Sequence, residues 1–195
     1  YCEIRFETDE TSSLSCRGKE VDGVGTASFA GGIVRACTKG GWGIVKFDSL
    51  DGIEHQVKDA CVCAQLVGRE KTMLADVPPV DIERRATLVN DFRGIPFDHK
   101  LRLMENYNKI ILGTPGIETS SVSYSDRFRT VYFASTRGNY FMEERPSAGC
   151  SFTAIARKGA LVQQASDGFA STTDFNIVAG LEPKVDIEEI GRAHV

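Results

Sequence analysis

Hydrophobic and polar residues alternate with a period of two through the first 48 residues, which is the pattern of half-buried strands. The clearest run is CEIRFE at residues 2–7, where Cys2, Ile4 and Phe6 share one face. Turn residues predict breaks at residues 8–11, at Arg17-Gly18, at Gly31-Gly32 and at residues 39–41. The pattern therefore predicts an antiparallel meander over residues 1–48.

The hydrophobic period becomes that of a helix between residues 54 and 70. The residues that recur at this spacing are Val57, Ala60, Cys61, Ala64 and Val67. They predict an amphipathic helix with small residues on its buried face and Cys61 in the core. An extended connector is expected at residues 75–83, which contain two adjacent prolines.

A second helix is predicted after this connector, with Asp98 as its N-cap. Its apolar stripe consists of Leu103, Met104, Tyr107, Ile110 and Ile111. Residues 113–116, which include two glycines and Pro115, are expected to end the helix. The helical middle of the chain is thus placed at residues 54–113.

The strand period returns at residues 120–166 and predicts a second meander. Its expected breaks are Arg137-Gly138, residues 146–149 and Lys158-Gly159. The two Arg-Gly turns are 120 residues apart, and the two Lys-Gly turns are 119 residues apart. We therefore predict an α+β fold with two antiparallel meanders, related by an approximate internal repeat and joined by a two-helix middle segment.

The two ends of the chain suggest a piece of a longer protein. The first residue is Tyr1 rather than methionine, and a strand pattern begins at once. Residues 186–195 have the pattern of a helix that is just starting, with Asp186 as a plausible N-cap. We expect residues 1–195 to be a single N-terminal domain.

Composition narrows the class of protein. The chain of 195 residues is 42% hydrophobic and 26% charged, as expected for a soluble globular protein. Its net charge of −4 argues against direct binding of nucleic acid. We expect a cytoplasmic protein with no membrane contact, because no run resembles a membrane span or a signal peptide.

The six cysteines are expected to be reduced and mostly buried. They are Cys2, Cys16, Cys37, Cys61, Cys63 and Cys150. The one close pair, Cys61 and Cys63, has C-x-C spacing rather than the C-x-x-C spacing of common zinc sites. No metal site is assigned to these residues.

The glycine-rich stretch GGIVRACTKGGWGIV, residues 31–45, raises the alternative of a nucleotide-dependent enzyme. A dinucleotide-binding loop needs G-x-G-x-x-G at the start of a helix, and Gly41-Trp42-Gly43 supplies only the first half. The next residues, IVKF, favour a strand. We interpret Lys39-Gly40-Gly41 as a hairpin tip.

The remaining polar residues do not form a recognisable active site. His55, His99 and His194 are scattered and are expected at the surface or at helix ends. A charged patch in the second meander is interpreted as a solvated face, and it consists of Asp126, Arg127, Arg129, Glu143, Glu144 and Arg145. No catalytic, cofactor-binding or metal-binding residue is assigned.

Several segments, taken in order, resemble the N-terminal region of the TldD/PmbA family, whose members are also called modulators of DNA gyrase. The segments are EIRFE, GGIVRACTKGGWGIVKFDSLD, DHKLRLMENYNKII, SYSDRFRTVYFASTRG, ERPSAGCSFTAIARKGALVQQA and EIGRAHV. The turn at Trp42-Gly43 and the segment ERP at residues 144–146 resemble the TldD branch more than the PmbA branch.

This resemblance implies a cytosolic zinc-dependent peptidase that acts on peptides or unfolded proteins as a homo- or heterodimer. The family's zinc motif, H-E-x-x-x-H with a distant cysteine, lies beyond the matching region, so zinc is expected only in the full-length protein. Our hypothesis is that this region is non-catalytic, walls a substrate channel and contributes to subunit assembly. The alternative is a non-catalytic PmbA-like partner or a protein-binding scaffold module.

Overall fold

The computed structural model describes residues 1–180, and these form a mixed α and β fold. The strands are β1 (Cys2–Arg17), β2 (Glu20–Thr38), β3 (Gly41–Phe47), β4 (Asp81–Arg84), β5 (Ile117–Ser135), β6 (Tyr140–Lys158) and β7 (Leu161–Ser171). The helices are α1 (Ile53–Val67), α2 (Phe97–Leu112) and α3 (Asn176–Ala179), with a 3-10 turn at Phe92–Gly94. The predicted α+β class is confirmed. The helix predicted at residues 186–195, with its Asp186 cap, lies outside the described residues.

The strands form one sheet in the order β3-β2-β1-β5-β6-β4, and β7 also pairs with β6. Strand β2 pairs with β3, and β6 with β7, in antiparallel ladders. Each predicted meander thus contains three strands, and the order β3-β2-β1 mirrors β5-β6-β7. This arrangement matches the predicted internal repeat.

Both predicted Lys-Gly tips are hairpin turns. Lys39 has φ 50° and Gly40 has φ 81°, so both central residues of the β2–β3 turn are left-handed, as in a type I′ turn. Gly159 in the β6–β7 turn has φ 62°. The hairpin interpretation of residues 39–41 is confirmed, and no helix starts at Gly43.

Three predicted breaks are wrong, because β1 runs through residues 8–11, β2 through Gly31-Gly32 and β6 through residues 146–149. Gly32 allows close approach within the sheet rather than a turn, since a Cβ there would be 2.2 Å from the Arg5 carbonyl oxygen. Pro146 lies between the segment of β6 that pairs with β4 and the segment that pairs with β7. On that edge of β6, opposite the edge that faces β5, no partner within the described residues is paired at Pro146, and a missing N–H is tolerated on an unpaired edge.

The connector predicted at residues 75–83 is extended, but it ends in a strand that the sequence did not reveal. Strand β4 pairs in parallel with the first residues of β6, from Asp81↔Tyr140 to Arg84↔Glu143. All four residues of β4 are exposed. A strand without a buried face leaves no alternation of hydrophobic and polar residues to recognise.

Contacts between residues divide the described chain into two compact units. The first unit comprises Tyr1–Glu10, Ser28–Ala86 and Arg129–Arg145. The second comprises Thr11–Ala27, Thr87–Phe128 and the described residues from Pro146 onwards. The single N-terminal domain over residues 1–195 stays a prediction.

The core of the first unit forms where α1 packs on the sheet. Its buried residues are Val34, Ala36, Phe47, Ala60 and Ala64. Gly41 and Gly43 lie directly beneath α1, where a Cβ would be 2.3 Å from the Ala64 carbonyl oxygen and 2.0 Å from that of Ala60, respectively. The helix therefore rests on the backbone of β3, and the glycines of GWG serve this contact.

The predicted buried face of α1 is correct at its centre and wrong at its end. Ala60 and Ala64 are fully buried, whereas Val57 and Cys61 are half-buried against the core. Val67 is 59% exposed, because the helix ends at this residue. Cys61 thus borders the core rather than lying inside it.

Helix α2 supplies the core of the second unit, and Gly113 comes directly after its last residue, as predicted. Met104, Tyr107 and Ile111 are fully buried, while Leu103 and Ile110 are half-buried. The expected cap is wrong, since Pro96 is the N-cap and Asp98 lies in the first turn. A carboxylate there still interacts favourably with the helix dipole.

We predict that Gly43→Ala destabilises the first unit by about 2 to 3 kcal/mol, because the new methyl group would force α1 away from β3. Urea unfolding monitored by Trp42 fluorescence measures the change.

Gly94→Ala is the matched control, since nothing lies within 4 Å of a Cβ at that position. Its free energy of unfolding should stay within about 1 kcal/mol of the parent value. Equal losses in the two variants would contradict a steric role for Gly43.

Candidate polypeptide-binding surface

Strand β7 lies at an edge of the sheet that residues 1–180 form. It pairs with β6 along its whole length, from Ala148↔Ser171 to Lys158↔Leu161. Among residues 1–180, β6 is its sole partner. The backbone N–H and C=O groups on its other side are therefore available to another strand.

The sequence of β7, LVQQASDGFAS, lacks the features that usually protect a sheet edge. It contains one charged residue, Asp167, and no lysine or proline. Leu161 and Val162 are 60% and 46% exposed. An edge of eleven residues with this composition is suited to pairing with an added strand.

Small hydroxyl side chains cover the sheet face beside this edge. Ser123 Oγ lies 2.7 Å from Ser151 Oγ, and Thr153 Oγ1 lies 3.0 Å from Ser166 Oγ. A shallow groove of about 350 Å³ opens here, and it is lined by Ser123, Ser125, Gly149, Cys150, Ser151, Gly168, Phe169 and Ala170. The groove is neutral and offers hydrogen-bonding groups beside the open edge.

The opposite face of the same strands packs on α2. The Tyr107 and Phe152 rings meet edge to face at 5.8 Å, and the Tyr107 hydroxyl donates to the Val178 carbonyl at 2.6 Å. Cys150 Sγ lies 3.8 Å from Met104 Sδ, and burial raises the pKa of this thiol to about 12. Cys150 is therefore an inert core residue rather than a nucleophile.

A buried charged cluster joins α2 to β1 and β5 within the second unit. The Lys100 ammonium donates to Asp126 Oδ2 at 2.5 Å and to Ser12 Oγ at 3.0 Å. The hydroxyl groups of Ser12 and Tyr124 also donate to Asp126 Oδ2, each at 2.5 Å. Burial and the bond to Asp126 raise the pKa of Tyr124.

This cluster has a structural role. Three donors, from Lys100, Ser12 and Tyr124, converge on one carboxylate oxygen of Asp126. Ser12 donates its proton to this ion-paired carboxylate, so it is not arranged as a nucleophile beside a free base. Lys100 and Asp126 are 4% and 5% exposed, which leaves little room for a substrate. The cluster satisfies buried polar groups and fixes α2 on the sheet.

The interpretation of Asp126 as part of a solvated face is wrong. Asp126 shares its side of β5 with Val122, Tyr124 and Phe128, all of which are buried, and this spacing of two was visible in the sequence. The other residues of the predicted patch are half-buried or exposed, and among them the Glu143 and Arg145 side chains form an ion pair with atoms 2.6 Å apart. Arg129 lies 3.6 Å from both Glu7 and Asp9.

The described histidines do not form a site. His55 is exposed in the first turn of α1, and His99 is exposed in α2 with its ring 6.0 Å from that of Phe175. His194 lies outside the described residues.

All six cysteines are free thiols. Cys16 and Cys150 are buried, three others are half-buried and Cys63 is exposed, so the expected burial holds in part.

Two family models match the chain. The model described as PmbA/TldA metallopeptidase domain 1 matches residues 2–64, and the PmbA/TldA metallopeptidase central domain matches residues 90–193, more than half of the chain. The chain belongs to the PmbA/TldD metallopeptidase family. The resemblance seen in the sequence is confirmed.

Curated relatives of this PmbA/TldD family chain are metalloproteases. One from Synechocystis sp. is 29% identical over 191 residues, which cover 95% of this chain and 40% of the relative. One from Methanothermobacter thermautotrophicus is 23% identical over 195 residues, which cover 98% and 41%. The chain thus spans about two fifths of the length of these relatives.

Solved structures share the fold. A protein from Thermotoga maritima, described as a proposed modulator of a DNA gyrase, superposes with a TM-score of 0.79 at 17% identity, over 97% of this chain and 42% of that one. TldE from Thermococcus kodakarensis superposes with a TM-score of 0.75 at 16% identity, over 97% and 43%.

The family name implies a metal, and the described residues do not fit one. Within residues 1–180, no group of three or more His, Cys, Asp or Glu side chains could hold a metal ion. The described residues of this PmbA/TldD chain therefore supply no metal-dependent step.

Among the helices of residues 1–180, none combines the length and the hydrophobicity of a membrane-spanning segment.

We predict that Lys100→Met destabilises the second unit by about 3 to 5 kcal/mol, because it leaves the Asp126 carboxylate buried without its cation. Circular dichroism during urea unfolding measures the loss.

Arg102→Met, on the same helix, is the control. The Arg102–Asp98 pair is exposed, with side chains 77% and 80% accessible, so its loss should cost about 1 kcal/mol or less. If both variants lose the same stability, the buried cluster does not support the fold.

A further prediction concerns Asp174, which lies just beyond β7. It accepts backbone N–H groups from Val89 at 3.0 Å, Asn90 at 3.3 Å and Asn176 at 2.9 Å. These bonds, above all that from Asn176, lower the pKa of Asp174. Because the folded pKa is depressed, this stabilisation is present above the ordinary aspartate value of about 3.9 and is lost as the pH falls through the folded value.

Asp174→Asn should therefore be less stable than the parent at pH 7, and the difference should shrink as the pH falls below the ordinary aspartate pKa of about 3.9 and the carboxylate is protonated. Parallel urea titrations across this range measure it. A difference that is independent of pH would show that the charge of Asp174 is unimportant.

Proposed function

We propose that this chain is the N-terminal, non-catalytic portion of a TldD-like zinc-dependent peptidase that acts on peptides or unfolded proteins. Its own contribution in this proposal is to hold a polypeptide in extended form along β7. Membership of a metallopeptidase family and relatives named as metalloproteases support the peptidase assignment. The open edge of β7 is the observation that carries the binding role.

Edge pairing suits a protein that must accept many sequences. A peptide that pairs with β7 would be held by main-chain hydrogen bonds, which every sequence except proline can supply. The neutral hydroxyl groups beside the edge would tolerate side chains of different kinds. An unfolded segment can adopt this extended pairing, whereas a folded domain offers few free strand edges.

In the full protein, zinc would supply an activated water for hydrolysis of the peptide bond. The residues described here would bind and extend the polypeptide. We extend the proposal to a dimer of the TldD/PmbA type in the cytoplasm. A modulating action on DNA gyrase, after which solved relatives are described, would belong to the whole protein.

A PmbA-like partner or a binding scaffold is the second candidate, and the same open edge supports it. The two functions predict different sequences for the remainder of the full-length protein. An H-E-x-x-x-H motif in that remainder supports the peptidase, and its absence supports the partner or scaffold. Stoichiometric zinc or peptidase turnover in the 195-residue chain alone would contradict the proposed non-catalytic role.

The edge-binding role can be tested with two proline variants one residue apart, Gln163→Pro and Gln164→Pro. Successive N–H groups of a strand point to opposite edges, so one variant removes a bond to β6 and the other removes an N–H from the open edge. We expect one variant to lose stability. The other should fold normally but bind a labelled, unstructured peptide of about ten residues at least about fivefold more weakly.

Fluorescence anisotropy measures the affinity, and thermal unfolding identifies the variant that folds normally. Peptide binding should also slow hydrogen exchange at alternate amides of β7. The role is refuted if the stable variant binds as tightly as the parent chain.

A further inference from the structure

A second surface, separate from β7, lies in the first unit. It is a groove of about 630 Å³ beside the β2–β3 hairpin tip. We call it the basic groove, and its lining includes Tyr1, Lys39, Arg69, Lys71, Leu74 and Arg137. The binding role proposed for β7 does not involve these residues.

Cations dominate the lining of the basic groove. The lining contains four cations, Lys39, Arg69, Lys71 and Arg137, and one acidic residue, Glu70. Within residues 1–180 none of these four cations has a carboxylate within 4 Å. For Arg69 and Arg137 this is unusual, because most arginines of the described chain are ion-paired. A cluster of unpaired cations is notable on a chain whose net charge is −4.

The walls of the groove are held in place although residues 69–80 contain no helix or strand. Thr72 Oγ1 donates to the Gly40 carbonyl at 3.0 Å, and the Arg137 guanidinium donates to the Ala75 carbonyl. Val80 N donates to Asn139 Oδ1 at 2.9 Å. The segment is therefore fixed between two hairpin turns, so its backbone needs little ordering when a ligand binds.

The left-handed Gly40 is required for this arrangement. A Cβ there would be 1.5 Å from the Glu70 carbonyl oxygen, so the segment rests directly on the hairpin tip. The Arg137 guanidinium also lies 5.7 Å from the centre of the Tyr1 ring. Charged groups thus alternate with apolar surface from Tyr1 and Leu74.

We propose that the basic groove binds acidic segments of polypeptide, rich in aspartate and glutamate. This deepens the proposed function, on which it rests for the choice of polypeptide as the ligand. Four cations favour carboxylates, and the apolar surface suits the aliphatic parts of side chains. A long nucleic acid is disfavoured, because the net charge of the chain would repel the phosphates beyond the groove.

The test uses the 195-residue chain and three labelled peptides of about ten residues, alternating Glu with Ser, Gln with Ser and Lys with Ser. The Glu peptide should bind at least about tenfold more tightly than the Gln peptide, and its affinity should fall as sodium chloride is raised. The Lys peptide should bind most weakly.

The variant Arg69→Gln/Lys71→Gln should weaken the Glu peptide by about fivefold or more and leave the Gln peptide unchanged. Lys58→Gln/Lys109→Gln is the matched control, since it removes the same charge from exposed helix positions outside the groove. This control should bind the Glu peptide within about twofold of the parent chain.

Equal affinities for the Glu and Gln peptides, or equal losses in the two double variants, would overturn the proposal. Displacement of the Glu peptide by a lower concentration of a single-stranded oligonucleotide would overturn the choice of polypeptide. Binding of the Gln peptide reports on β7 alone. Its absence together with charge-dependent binding of the Glu peptide would refute edge binding and leave the groove assignment intact.

Discussion

The contact of helix α1 with the backbone of β3 is the constraint on which the first unit depends. Gly41 and Gly43 carry no side chain, so the helix approaches until Ala60 and Ala64 touch the strand. The same closeness holds at Gly40, where the segment leaving α1 crosses the hairpin tip. The glycines at residues 40, 41 and 43 therefore position both the core helix and one wall of the basic groove. They do so because they have no side chain, which lets other backbone segments approach closely.

The second unit is held by a different kind of interaction. Its helix α2 carries Lys100 on the same stripe as Met104 and Tyr107, so that packing the stripe also buries a charge. The Asp126 carboxylate pairs with that ammonium group and also accepts hydrogen bonds from the Ser12 and Tyr124 hydroxyl groups. A shift of the helix would break one of these bonds and leave a buried polar group without a partner. Such a cluster specifies how the helix lies on the strands more strictly than apolar contacts do.

The secondary structure could be predicted from the sequence wherever it is determined by residues that are close together in the chain. Lys-Gly turns, the stripe of α2 and the change of period near residue 54 are all determined by neighbours in the chain. Local rules are less reliable for glycine. Turns were predicted at both Gly31-Gly32 and Lys39-Gly40, and only the second pair forms one. The identity of the edge strand and the basic groove could not be predicted, because each depends on which distant segments become neighbours.

The two candidate surfaces recognise polypeptide by different physics. Pairing along β7 depends on the backbone, and its strength varies little with side chains. Attraction by Lys39, Arg69, Lys71 and Arg137 depends on the composition of the ligand, weakens with salt and also speeds the encounter. Unfolded segments are commonly rich in charge, so a cationic groove would raise their local concentration without demanding a sequence. In this proposal the β7 edge binds polypeptides of any sequence, and the basic groove adds a preference for acidic ones. Neither surface needs a specific pocket for a particular side chain.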